Sequence, residues 1–187
     1  MKKILLSIFA LMGITLLESC FINNCGGSEF SSFNWKDLSL ITSRIGSDVQ
    51  LTENQKIRYD SVRFRFNIDE DYISFLPLKS FSSSSLYACD PAPPFSKQRI
   101  TEIKISSTSI YVTNSKSYNT NSDLAEIFVA DYENTIERFL ANQPIYDDFN
   151  FAIVASPKAE QQHEFTFSIK LDDGRTFEKK ASVMLTP

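Results

Sequence analysis

The stretch from Glu164 to Leu185 constrains the fold more than any other part of the chain. Phe165, Phe167, Ile169 and Leu171 alternate with Glu164, Thr166, Ser168 and Lys170. After Asp172-Asp173-Gly174-Arg175, the residues Phe177, Ala181, Val183 and Leu185 carry the same period back. A period of two puts every second side chain on one face of an extended backbone, so this stretch buries a continuous surface only as strands. Asp-Gly between two such runs predicts a hairpin, because glycine accepts the positive φ that tight turns demand. Lys179 interrupts the apolar positions of the return run, which predicts an edge strand or a β-bulge there.

The same period recurs upstream. Val62, Phe64, Phe66 and Ile68 face one way while Arg63, Arg65 and Asn67 face the other. Ile103 and Ile105 alternate with Glu102, Lys104 and Ser106, and Ile110 and Val112 extend that strand after a Ser/Thr break. Phe149, Phe151 and Ile153 form another run, and Leu38 and Leu40 a weaker one. One stretch favours helix. Leu124, Ile127 and Phe128, then Ile136, Phe139 and Leu140, are spaced i, i+3, i+4, with Asp123 or Asn134 as caps and Pro144 as a stop. A short helix at 135–141 is expected, and 123–130 is open between a helical turn and an irregular strand. The segments Ser82–Ser85, Asp90–Pro94 and Ser115–Ser122 are expected to be loops. The predicted architecture is a single mainly-β sandwich, Ig-like or related, over residues 35–187. It has about seven to eight antiparallel strands and one short helix.

The first residues have a different purpose. Lys2 and Lys3 precede a mostly apolar run from Ile4 to Leu17. That run is shorter than the roughly 20 residues a spanning helix needs, and it has the size of a signal-peptide core. Leu17-Glu18-Ser19-Cys20 follows and resembles the lipobox of bacterial lipoproteins, with Glu18 where the pattern prefers a small or apolar residue. The resemblance implies cleavage after residue 19 and lipidation of Cys20, leaving a lipid-anchored tether at 20–34. An ordinary secretory signal cut near Ser19, or an uncleaved tail, is the alternative. Cys25 and Cys89 then remain as an even pair outside the cytoplasm, expected to form a disulfide, with two free thiols as the alternative.

Catalytic motifs are missing. His163 is the single histidine, so no His-based metal cluster can form, and no nucleophile-elbow motif accompanies it. It is expected at the start of a strand with its hydrogen bond satisfied. Asp69-Glu70-Asp71, Asp147-Asp148 and Asp172-Asp173 have neither EF-hand spacing nor a metal-ligating partner motif, and read as turn residues. Neither catalytic residues nor a cofactor or metal is expected. A net charge of -4 and a pI near 5.1 give no electrostatic ground for binding nucleic acid. Sixteen phenylalanines, many at inward parity, read as core. Trp35, Tyr87, Tyr111, Tyr118 and Tyr146 lie near loops or strand ends, where an amphipathic ring can stack on sugar; ordinary packing is the first expectation for each.

The whole chain resembles the small lipoproteins of Bacteroidota that carry a domain of unknown function. The resemblance rests on the Leu17–Cys20 signal, Tyr87-Ala88-Cys89-Asp90-Pro91, the strand from Ile100 to Ile105, Asp123-Leu124-Ala125-Glu126-Ile127-Phe128, and the closing run from His163 to Phe177. It implies an envelope lipoprotein with no catalytic residues to carry over. Phe21-Ile22-Asn23-Asn24 follows the lipidated cysteine in place of acidic residues used for surface export, which favours an outer-membrane anchor facing the periplasm. The first functional expectation is a non-catalytic module that binds an envelope protein or assembles with partners. A glycan-binding lipoprotein is the second and a hydrolase the third.

Overall fold

Phe165, Phe167, Ile169 and Leu171 are all buried on one side of a single strand, as their period requires. The structure, a computed structural model, describes residues 32–47, 49–52, 55–72, 95–131, 134–143 and 148–187. In chain order its strands are β1 (Ser32–Arg44), β2 (Lys56–Arg58), β3 (Val62–Tyr72), β4 (Phe95–Ser96), β5 (Ile100–Ser107), β6 (Tyr111–Val112) and β7 (Ser117–Tyr118). Then come β8 (Phe128–Ala130), β9 (Asn134–Thr135), the helix α1 (Ile136–Asn142), β10 (Asp148–Ile153), β11 (Gln161–Leu171) and β12 (Thr176–Thr186). One sheet has the order β4-β1-β3-β10-β8-β9 and the other β2-β12-β11-β5, with β6-β7 as a separate ribbon. The fold is a β-sandwich. Its pairings are antiparallel except for β1 with β4 and β2 with β12, which are short and parallel.

Phenylalanines join the two sheets. Phe64 of β3 meets Phe165 and Phe167 of β11 at ring distances of 5.7 and 5.0 Å, and Phe66 meets Phe167 at 5.2 Å. Edge-to-face and tilted pairs of this kind add roughly 0.5–1.5 kcal/mol each beyond the area they bury. The helix closes one open side of the sandwich. Thr135 Oγ1 caps it by accepting from Arg138 N at 3.3 Å, and Phe139 packs on Phe149 and Phe151 at 5.6 and 6.1 Å. The free edge of β5 is covered as well. Leu124 N and Asn121 N donate to Ile105 O and Ser107 O at 2.7 and 2.8 Å, and Gln143 bonds both backbone groups of Ile100.

Several expectations change. The body begins at Ser32, inside the segment read as tether, because Phe33 and Trp35 are buried along with Leu38. A bulge at Lys36 shifts the register between Trp35↔Glu70 and Asp37↔Asp69, so the buried apolar positions pass from Phe33 and Trp35 to Leu38 and the period is broken. Ile110 and Val112 do not extend β5. Thr108 N still bonds Glu164 O, but the chain then leaves the sheet, and Tyr111 and Val112 pair with Tyr118 and Ser117. Ser115–Ser122, expected as loop, thus contains β7. Residues 123–130 form a 3-10 turn at Ala125–Ile127 followed by β8, and Thr135 rather than Asn134 caps α1. Lys179 stands opposite Phe167 in unbroken register, so the bulge is absent and the edge position holds. The hairpin turn has three residues, with Gly174 at φ 89° and Gly174 N donating to Leu171 O at 3.1 Å. That is a type I turn closed by a left-handed glycine.

Strand directions define two poles. The chain enters β1 at Ser32 beside β4, the start of β5 and the Asp172–Gly174 turn, where Asp172 N donates to Arg99 O at 2.9 Å. At the opposite pole lie the β1–β2 connection, the 3-10 turn Tyr59–Ser61, the β6-β7 ribbon and the end of β12.

Candidate functional site

The most chemically suggestive pair is Ser107 and His163. Ser107 ends β5 and His163 lies near the start of β11, two positions beyond the Phe165↔Ser107 pair, and both are buried. Ser107 Oγ is 3.1 Å from His163 Nδ1 and also accepts from Ser109 N at 3.2 Å. A hydroxyl beside an imidazole is the arrangement of an activated nucleophile. Here the surroundings point to packing. The imidazole stacks on Phe165 at 5.4 Å and 15° and tilts against Tyr111 at 5.0 Å. Its hydrogen bond uses Nδ1, the nitrogen that faces the orienting carboxylate in a serine triad, whereas Nε2 takes the serine proton. No carboxylate among the described residues bonds the ring. Ser107 is only 2% exposed and His163 1%, so the hydroxyl is closed to a substrate. Burial pushes the histidine down to about 4, which leaves it neutral near pH 7.

Of the aromatic residues considered as sugar platforms, Trp35, Tyr111 and Tyr118 are core. Trp35 is buried between Phe149 and Phe177, each 6.1 Å away at 32°. Its Nε1 donates to Ser96 Oγ at 2.6 Å, and Ser96 Oγ donates onward to Gln98 O at 2.8 Å. Gln98 completes the latch by accepting from Trp35 N and donating to Asn34 Oδ1 at 2.7 Å. Tyr111 is buried with its hydroxyl donating to Ala155 O at 2.6 Å, and burial raises its pKa. Tyr118 meets Tyr111 edge-on at 6.5 Å and lies under Lys116 Nζ at 4.6 Å; burial, then Glu126, pushes its hydroxyl up to about 12. None of the three offers an open, coplanar stacking surface. Tyr87 and Tyr146 lie outside the described residues.

Asp172 and Asp173 lie in the hairpin turn, but Asp69, Glu70 and Asp71, expected in a turn, lie within β3, because their backbone pairs with β1 across the bulge. Asp69 meets Lys36 at 3.2 Å, and Asp148 accepts from Arg65 Nε and Nη2 at 2.8 and 2.7 Å. Asp173 accepts from Arg175 N and Nε at 3.0 and 2.8 Å, and these bonds hold its carboxyl below the usual range. Among the described residues, no three His, Cys, Asp or Glu side chains come together to hold a metal ion. Asp147, Cys20, Cys25 and Cys89 lie outside the described residues, as does the signal segment.

Two features escaped the sequence reading. The first is a corner between the sheets: Arg175 Nη1 donates to Trp35 O, and Lys179 Nζ lies 3.2 Å from Asp37 Oδ1. Its only sequence signal was the break in alternation at Lys179. The second concerns exposed apolar side chains. Ile45, Val49, Ile110 and Val154 are the large ones among the described residues, and all sit in connections at the pole away from Ser32. Val49 is 74% exposed and Val154 53%. Among the described residues, no helix is long and apolar enough to cross a membrane.

No family model and no curated protein matches the chain. Among solved structures it has partial similarity to the C-terminal domain of the Streptococcus agalactiae AgI/II polypeptide BspA, at 7% identity and a TM-score of 0.31 over 79% of this chain. It is similar likewise to the C-terminal domain of the Streptococcus pyogenes antigen I/II-family protein AspA, at 9% identity and a TM-score of 0.29 over 79% of this chain. The match covers 49% and 46% of those chains, about half their length. At these TM-scores the likeness carries no argument about what this chain does.

Proposed function

We propose that the chain is a bacterial cell-envelope lipoprotein whose β-sandwich is a non-catalytic binding or structural module. Lipid on Cys20 holds it in the outer membrane, facing the periplasm, and its partner is an envelope protein. The observation that carries this reading is the separation of the poles. Cys20 precedes Ser32, where the chain enters the body, while Ile45, Val49, Ile110 and Val154 are exposed at the other pole. Exposed large apolar residues at one pole, in three separate connections, support a contact surface there. An anchor at one pole leaves the other free to meet a partner.

The disulfide belongs to the same proposal. β1 and β4 pair in parallel at Ser32↔Phe95, and the cysteines stand seven residues before Ser32 and six before Phe95. Two chain segments entering side by side, with cysteines at nearly equal distances upstream, favour a bridge between Cys25 and Cys89. Such a bridge typically contributes about 2–4 kcal/mol.

Metabolic labelling with a fatty-acid analogue tests the anchor: wild type labels and Cys20→Ser does not. Equal labelling refutes it. Photocrosslinking in intact cells tests the partner. A crosslinker in place of Val49 or Val154 is expected to trap one envelope protein that the same group in place of Asp172 does not. Equal capture from both poles removes the binding reading.

A further inference from the structure

Among the described residues, β12 is paired along most of its length on one side only. Leu171 N donates to Arg175 O at 2.9 Å, and this sets the alternation of the hairpin. The backbone groups of Phe177, Lys179, Ala181 and Val183 face β11, and those of Thr176, Glu178, Lys180 and Ser182 face away. On that far side β2 takes up only Met184–Thr186. Among the described residues no strand pairs with Thr176–Val183 there. An open edge of this length is a template for another strand.

Lys179 lies on this edge with its side chain toward the interior. It is 28% exposed and bound to Asp37, at a position where the alternation asks for an apolar residue. We propose that Lys179 keeps the β12 edge from pairing with a second copy of the chain.

The register of the excluded dimer follows from the charges. In an antiparallel two-fold pairing centred on residue 179, Glu178 of one copy faces Lys180 of the other, and Lys180 faces Glu178. Thr176 then meets Ser182, and Phe177 meets Ala181. Opposite charges and matched apolar residues across strands stabilise such a pairing. Lys180 is free to join it, since its present partner Glu164 lies 3.2 Å away on an exposed surface, where ion pairs hold weakly. One contact opposes the register. Lys179 would stand directly against Lys179 of the second copy, about 4.5–5.5 Å apart at Cβ, with both charges turned inward. The same side chain thus closes the one register that its neighbours favour.

The test is sedimentation equilibrium of the full chain in density-matched detergent. Lys179→Val is expected to self-associate at least about tenfold more tightly than wild type, a gain of about 1.4 kcal/mol. Adding Lys180→Glu sets like charges against Glu178 across the two-fold and is expected to return association to the wild-type level. Lys179→Thr, which keeps a polar strand-forming side chain, is run alongside with the same expectation as Lys179→Val. Trp35 emission checks that each variant keeps its fold. The proposal is overturned if neither Lys179 variant associates more than wild type, or if the doubly substituted chain associates as the single variant does.

Discussion

Replacing His163 by asparagine should change how stability depends on pH more than it changes stability itself. The unfolded histidine titrates near 6.5 and the folded one near 4, lowered by burial. Between those values the unfolded chain takes up a proton that the folded chain refuses, so stability falls as pH falls. Each unit of separation corresponds to about 1.4 kcal/mol, so the whole gap amounts to about 3 kcal/mol. That contribution is complete above about pH 7 and gone by about pH 4. Against a total of roughly 5–15 kcal/mol for a typical domain, the loss is large. His163→Asn keeps a polar atom near Ser107 Oγ but does not titrate, and its smaller side chain costs stability at every pH. Urea titrations followed by Trp35, the single tryptophan and a buried one, report both proteins. Carboxylates common to both cancel in the difference. Wild type should exceed the variant by about 3 kcal/mol more at pH 7 than at pH 4. If the difference between them stays constant over that range to within about 0.5 kcal/mol, the neutral buried histidine is refuted.

Three smaller effects follow from local geometry. Gly174→Ala meets no neighbour within 4 Å, but its φ of 89° strains any residue with a Cβ, so thermal melts should show a loss of about 1 kcal/mol. Thr135→Ala removes the cap on α1 and should cost about 1 kcal/mol by urea titration, with protection from hydrogen exchange falling first at Arg138. Asp131→Asn should raise the melting temperature at pH 7. Asp131 has φ 44°, which asparagine tolerates, and its carboxyl is raised by burial, so its charge opposes folding above that pKa and the gain fades as the wild-type group protonates in acid.

The sheets were legible wherever one face is buried and the other wet. β3 and β11 announce themselves by strict alternation, and β5 and β12 by alternation with one interruption each, because burial on one face selects every second residue. β1 was half legible, since the Lys36 bulge breaks the period within a single strand. The ribbon β6-β7 was hidden because two residues per strand are too few to show a period. Of the candidate site, the inward parity of His163 was readable but its partner was not. Ser107 lies 56 residues away, and only the β5–β11 register brings the two together. Lys179 shows the same limit: its irregularity is visible in the chain, and the reason, Asp37 at a bulge 142 residues earlier, is visible only in space. Trp35, Tyr111 and Tyr118 sit near loops in sequence, yet all three are buried, with Trp35 Nε1 and the Tyr111 hydroxyl bonded to Ser96 Oγ and Ala155 O.

The opposed poles also decide how the protein bears tension. Force applied between Ser32 and Thr186 runs along the strands, drawing β1 and β12 in opposite directions past their neighbours. β1 is held to β3 from Phe33↔Tyr72 to Arg44↔Val62, and β12 to β11 from Lys170↔Thr176 to Gln161↔Leu185. Loaded this way, the rungs of each ladder share the strain and yield together, whereas strands peeled from one end would lose them singly. A body about 35 Å from pole to pole, judged by eleven residues of β12, is thus built to resist being stretched along its length.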